Sequence, residues 1–163
     1  MYEGSRSQLF YREHIAENMR EWEADQLKPH KAMNLALSLN QMADYFFLEF
    51  GAEPSKVLGA TSLEKFRDAL RAKSAEFALV HDVADAHKHL NLRGKNRKVM
   101  NASQATAGAL RWDGAVWDEA KWDSPEEIVI TLNDESKRSF GTVVRQTVAM
   151  WDELLLKAGL TAA

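Results

Sequence analysis

Apolar positions along the chain fall into several helical stripes and one stretch of strand-like alternation. Between about residues 7 and 26, Leu9, Phe10, Ile15, Met19 and Trp22 recur among charged neighbours, mostly at three- to five-residue steps, which predicts an amphipathic helix closed by Lys28-Pro29. The block "HKAMNLALSLNQMADYFFLEFG" has no breaker from His30 to Phe50, is apolar almost all round and meets Gly51 where a C-terminal cap belongs. It predicts a buried central helix over about 30–50. After Pro54 and Gly59, Thr61 and Glu64 have capping-box spacing, and Leu63, Phe66, Leu70, Phe77, Val80, Val83 and Leu90 predict one long third helix over about 62–91. The stripe Val144, Val148, Trp151, Leu155 predicts a fourth helix over about 140–158, ending at Gly159.

Between the third and fourth helices the period changes. Gly108, Gly114 and Pro125 punctuate short β-type runs, so a β region is expected over about 105–138. Asp113-Gly114 suits a two-residue type I′ turn pairing Trp112 with Ala115 and Leu110 with Trp117, and "EIVITL" (127–132) alternates Ile128, Ile130 and Leu132 as a half-buried strand would. The expected fold is mainly α: a four-helix-bundle-like core with a small antiparallel β-sheet inserted before the C-terminal helix, all in a single domain, 1–163.

Composition narrows the function classes. A chain of 163 residues, 45% hydrophobic and 28% charged, has a globular composition. It contains no run of about 18 apolar residues, so no membrane partner is expected and the predicted location is cytoplasmic. With no cysteine there is no disulfide, thiolate nucleophile or sulfur-ligated zinc. A net charge of −3 argues against wholesale nucleic-acid binding and leaves local basic patches to consider.

The densest chemistry is "HDVADAHKHL" (81–90). At 100° per residue, His81, Asp82, Asp85, Lys88 and His89 share about a third of a helix circumference. Asp85 and His89, four apart, form the candidate catalytic pair, the carboxylate orienting the imidazole and raising its pKa. The competing reading is a solvated helix face. Asn34, Ser38, Gln41 and Tyr45 make a polar stripe on the central helix, and buried polar groups need partners, so Asn34 and Gln41 are expected to meet the ionisable face of the third helix. The ladder His81, Asp85, His89 also allows a divalent metal, although no H-E-x-x-H motif is present; no other cofactor is expected. Following the helix, "RGKNRK" (93–98) places Arg93, Lys95, Arg97 and Lys98 near Lys88, a basic loop suited to RNA or a phosphorylated ligand. Tryptophans beyond the needs of a core this size favour a homodimer.

Three long helices with a fourth at the C-terminus, together with the D-x-x-x-H pattern ending in "KHL", resemble the small bacterial helical-bundle proteins of the HEPN-like type. "DVADAHKHL" also resembles a motif of bacterial proteins without assigned activity in which an Ala-rich helix ends in Lys-His. The first resemblance implies a helical bundle and, among its nucleases, an RNA-directed activity; their Arg-x(4–6)-His motif is absent here, and no catalytic residue is carried over. Two functions are therefore expected in order: a binding or interaction module with a polar network around residues 81–89, or a HEPN-like RNA- or phosphate-directed hydrolase using an Asp/His site.

Overall fold

The computed structural model describes residues 4–89, 92, 97–108 and 126–161. The N-terminal stripe folds as α1 (Arg6–Phe10), a π-helical turn (Tyr11–Ile15) and α2 (Ala16–Ala24) in one uninterrupted helical path. Glu49 fixes its start, accepting from the Ser5 hydroxyl and the Ser7 backbone N–H, each at 2.8 Å. Tyr11 ties the π turn to the C-terminal helix, its hydroxyl donating to Asp152 at 2.5 Å.

α3 (Pro29–Phe50) begins with proline at its first turn, where the missing N–H costs no hydrogen bond. It packs against every other described α-helix and the π turn, which is why its apolar positions run round the cylinder. Gly51 follows it, where a Cβ would come within 2.6 Å of the Phe47 carbonyl oxygen, so a side chain there would displace the helix end.

The third predicted helix is two helices. α4 (Leu63–Lys73) and α5 (Ala75–Lys88) are separated by Ser74, whose backbone is extended and whose hydroxyl accepts from the Phe77 N–H at 3.0 Å. A serine hydroxyl competes for backbone donors and favours a cap over a helix interior, which is the physical reason for the break. α5 also stops earlier than expected, at Lys88. At the start of α4 the cap is Ser62, accepting from Lys65 N–H, in place of the expected Thr61.

The β region forms an antiparallel sheet of β1 (Ala105–Gly108), β2 (Glu127–Thr131) and β3 (Lys137–Ser139), with Ala105 opposite Ile130 and Val129 opposite Ser139. β2 is the expected strand; Val129 is buried along with Ile128 and Ile130. The proposed 110–117 hairpin lies outside the described residues. α6 (Phe140–Lys157) matches the expected fourth helix and is capped by Ser139, whose hydroxyl accepts from Thr142 N–H. The fold is thus mainly helical, with the small sheet ahead of the last helix. Buried residues of the helices, β1 and β2 join in one core, where Trp151 stands among Phe46 and Phe77 and donates its indole N–H to the Leu39 carbonyl at 3.1 Å.

Candidate functional site

The break at Ser74 lets α4 and α5 lie in contact as two separate helices. α5 turns Phe77, Val80 and Ala84 into the core and brings His81, Asp82 and Asp85 against the chain at Arg97. Asp82 is only 1% exposed, a depth at which a lone carboxylate would be expensive. It accepts from Arg97 Nη1 at 2.9 Å and from the Lys98 backbone N–H at 2.8 Å, with Arg71 Nη2 at 3.9 Å. The other arm of Arg97 reaches Asp85 at 3.0 Å. One guanidinium therefore bridges two carboxylates a helical turn apart. Burial works against the charge of Arg97, but the hydrogen bonds to Asp82 and Asp85 outweigh it and hold its pKa above the usual value.

The histidine that Asp85 meets is His81, whose Nε2 lies 3.4 Å from the carboxylate. The expected Asp85–His89 pair does not form: α5 has ended, and His89 is an exposed C-cap with extended backbone. His81 Nδ1 is 2.9 Å from Asn40 Oδ1, so in the neutral ring the Nδ1–H donates to the amide and Nε2 is left as the basic nitrogen. Its pKa is lowered, first by burial and further by Arg71 and Arg97, while Asp85 and Asp82 pull the other way without prevailing. At His81, the rise that a neighbouring carboxylate alone would cause is thus reversed by burial.

Facing this network, an open cleft of about 530 Å³ is walled by Glu64, Arg67, Asp68 and Arg71 of α4, His81 and Asp85 of α5, and Arg97. Arg67 gives one arm to Asp44 of α3 at 2.6 Å. The Nε atoms of both Arg67 and Arg71 are buried and have no hydrogen-bond partner among the described residues.

No family model, curated protein or solved structure matches the chain.

Of the candidate residues, His81, Asp82, Asp85 and Arg97 come together. Lys88 and His89 point to solvent beyond the network, and Arg93 and Lys95 lie outside the described residues. Asn34 and Gln41 do not meet α5. They face the N-terminal helix, where Asn18 donates to Ser38 at 3.1 Å, and it is Asn40, one step round α3, that faces His81. Among the described residues no three histidines or carboxylates are grouped to hold a metal ion, and the middle member of the expected ladder, Asp85, is taken by Arg97. No described helix is long and apolar enough to cross a membrane.

Reading the sequence missed Asn40, Arg67 and Arg71. Arg67 and Arg71 are four apart on one helix face, a spacing that marks them as neighbours among the apolar stripe of the same segment. Asn40 had a signal too, as an amide inside an otherwise apolar run.

Proposed function

We propose that the chain is a ligand-binding module whose cleft takes a small molecule carrying one anionic group together with hydrogen-bond donors. The observation that carries this reading is that Arg67 and Arg71 both wall the cleft and that each has a buried Nε–H without an acceptor among the described residues. An unsatisfied buried donor costs about 1–3 kcal/mol, and an anionic ligand that draws the two guanidinium groups toward it supplies the missing acceptors through charge-assisted bonds. The same walls disfavour a polyanion. Arg67, Arg71 and Arg97 are matched in number by Glu64, Asp68 and Asp85, so the cleft is balanced in formal charge and has carboxylates ready for amine or hydroxyl donors.

O-phosphoethanolamine offers one phosphate and one amine in a small molecule and is the probe of choice. Saturable binding in calorimetry, weakened about tenfold or more in Arg71→Gln, supports the reading; no heat up to millimolar concentration, or equal binding by the variant, overturns it.

A second reading, a phosphate-directed hydrolase, is favoured by one feature: Asn40 holds the His81 tautomer that leaves Nε2 basic at the cleft. Turnover of a chromogenic phosphodiester that vanishes in His81→Ala would establish it. Self-association stays a proposal resting on Trp112, Trp117 and Trp122, outside the described residues, and light scattering at high micromolar concentration decides it.

A further inference from the structure

On a neighbouring face of α3, a second pocket of about 230 Å³ lies between that helix and the N-terminal helical path. Its lining comprises three rings, Phe10, His14 and Tyr45, and three amides, Asn18, Asn34 and Gln41, over a floor of Leu37 and Ser38. No aspartate, glutamate, lysine or arginine is part of it. The Ser38 hydroxyl is satisfied, donating to backbone carbonyls of its own helix and accepting from Asn18. The side-chain amides of Asn34 and Gln41 make no hydrogen bond to any described residue, and both residues are exposed.

The π turn helps shape this wall. Eight residues of regular α-helix would carry Asn18 about 80° round the axis from Phe10. The wider turn at Tyr11–Ile15, where Ala16 N–H bonds to the Tyr11 carbonyl, takes up part of that rotation, so Phe10, His14 and Asn18 line one pocket. Such insertions are rare and concentrate at functional sites. The aromatic end is ordered: Phe10 and Tyr45 are stacked at 4.0 Å and 17°, and the His14 ring is centred 4.7 Å from Phe10.

From this lining we infer that the pocket is a second binding site, for a neutral planar heteroaromatic ring with adjacent donor and acceptor atoms on its edge, the chemistry of a nucleobase. A charged ligand finds no counter-ion in the lining. A pure hydrocarbon would cover the amides without pairing them, which is unfavourable. A flat ring satisfies both kinds of lining group, lying against the exposed rings of Tyr45 and His14 while Asn34 or Gln41 makes the paired donor-acceptor contact that amides make to adenine. A flexible hydroxylated ligand such as a sugar fits less well, because the lining offers no carboxylate to accept from its hydroxyls.

Adenosine is the probe, with methyl glucoside as the contrast. Both are titrated into the ¹⁵N-labelled protein, and shifts of the Gln41 and Asn34 side-chain amide signals are followed. Saturable shifts with adenosine, no response to the glucoside, and at least a tenfold loss of affinity in Gln41→Ala are expected. Both amides are exposed, so Gln41→Ala and Asn34→Ala should keep the wild-type melting temperature, which separates lost binding from lost fold. No shift by 5–10 mM adenosine, equal affinity in both alanine variants, or a preference for the glucoside would each overturn the assignment.

Discussion

Asp82 shows how one side chain decides whether a charged face is a solvated surface or a site. Its carboxylate accepts from the Arg97 guanidinium and the Lys98 N–H at 1% exposure, so truncating it leaves the Lys98 N–H without that acceptor and Arg97 with Asp85 alone. Breaking one side of such a buried pair costs roughly 3–5 kcal/mol. Asp82→Ala should therefore lower stability by about 3 kcal/mol in urea unfolding, and a loss below about 1 kcal/mol would mean that the network contributes little. His81 predicts a pH dependence. Burial, with Arg71 and Arg97, lowers its folded pKa against the pull of Asp85 and Asp82, so between that value and the unfolded reference of about 6.5 the unfolded chain binds more protons. Its contribution to stability is complete above about pH 6.5 and is lost as pH falls through that window. Comparing unfolding at pH 7.5 with pH 5.0 in wild type and His81→Gln isolates this limb, which should flatten in the variant; an identical slope in both proteins would remove His81 as its source.

At the scale of elements, the break between α4 and α5 makes the site, and it yields a test whose sign differs between alternatives. If Ser74 caps α5, Ser74→Ala loses that cap and costs about 1 kcal/mol. In one continuous helix the same change would stabilise, since alanine is the better helix former. Chemical denaturation of the variant reads the sign directly. The same residue marks the limit of what periodicity reveals. The central and C-terminal helices were legible because long apolar stripes bounded by Lys28-Pro29, Gly51 and Gly159 leave few alternatives, and β2 was legible from the alternation of Ile128 and Ile130. The apolar spacing on either side of Ser74 stays close to the helical period, so the break was recorded only in the cap serine followed by Glu76 in the new first turn. A helix continuous to residue 91 would set Asp85 against His89 four residues ahead; the observed end at Lys88 leaves His81, four residues behind, as the partner. The arginines of α4 could not be joined to that cluster by spacing along the chain, because tertiary contact between two helices brings them to one cleft.

Across the whole molecule, α3 is the shared wall. Asn40 and Asp44 look toward the arginine cleft, while Asn34, Gln41 and Tyr45 look toward the amide pocket, so two sites of different chemistry stand on adjacent faces of one buried helix. Anything that binds the folded chain alone raises its stability by mass action, by about 2.7 kcal/mol at a hundredfold excess over Kd. Saturating O-phosphoethanolamine should therefore raise the melting temperature of wild type and raise it less in Arg71→Gln. The central claim is that the Arg67 and Arg71 donors await an anionic oxygen, and the most direct measurement watches those atoms. In ¹⁵N spectra of the arginine Nε–Hε groups, titration with O-phosphoethanolamine should move the Arg67 and Arg71 signals together along one saturable curve while the Arg6 and Arg20 signals stay in place. Unmoved Arg67 and Arg71 signals at saturating probe, or a uniform drift of all the arginine signals with ionic strength, would contradict it.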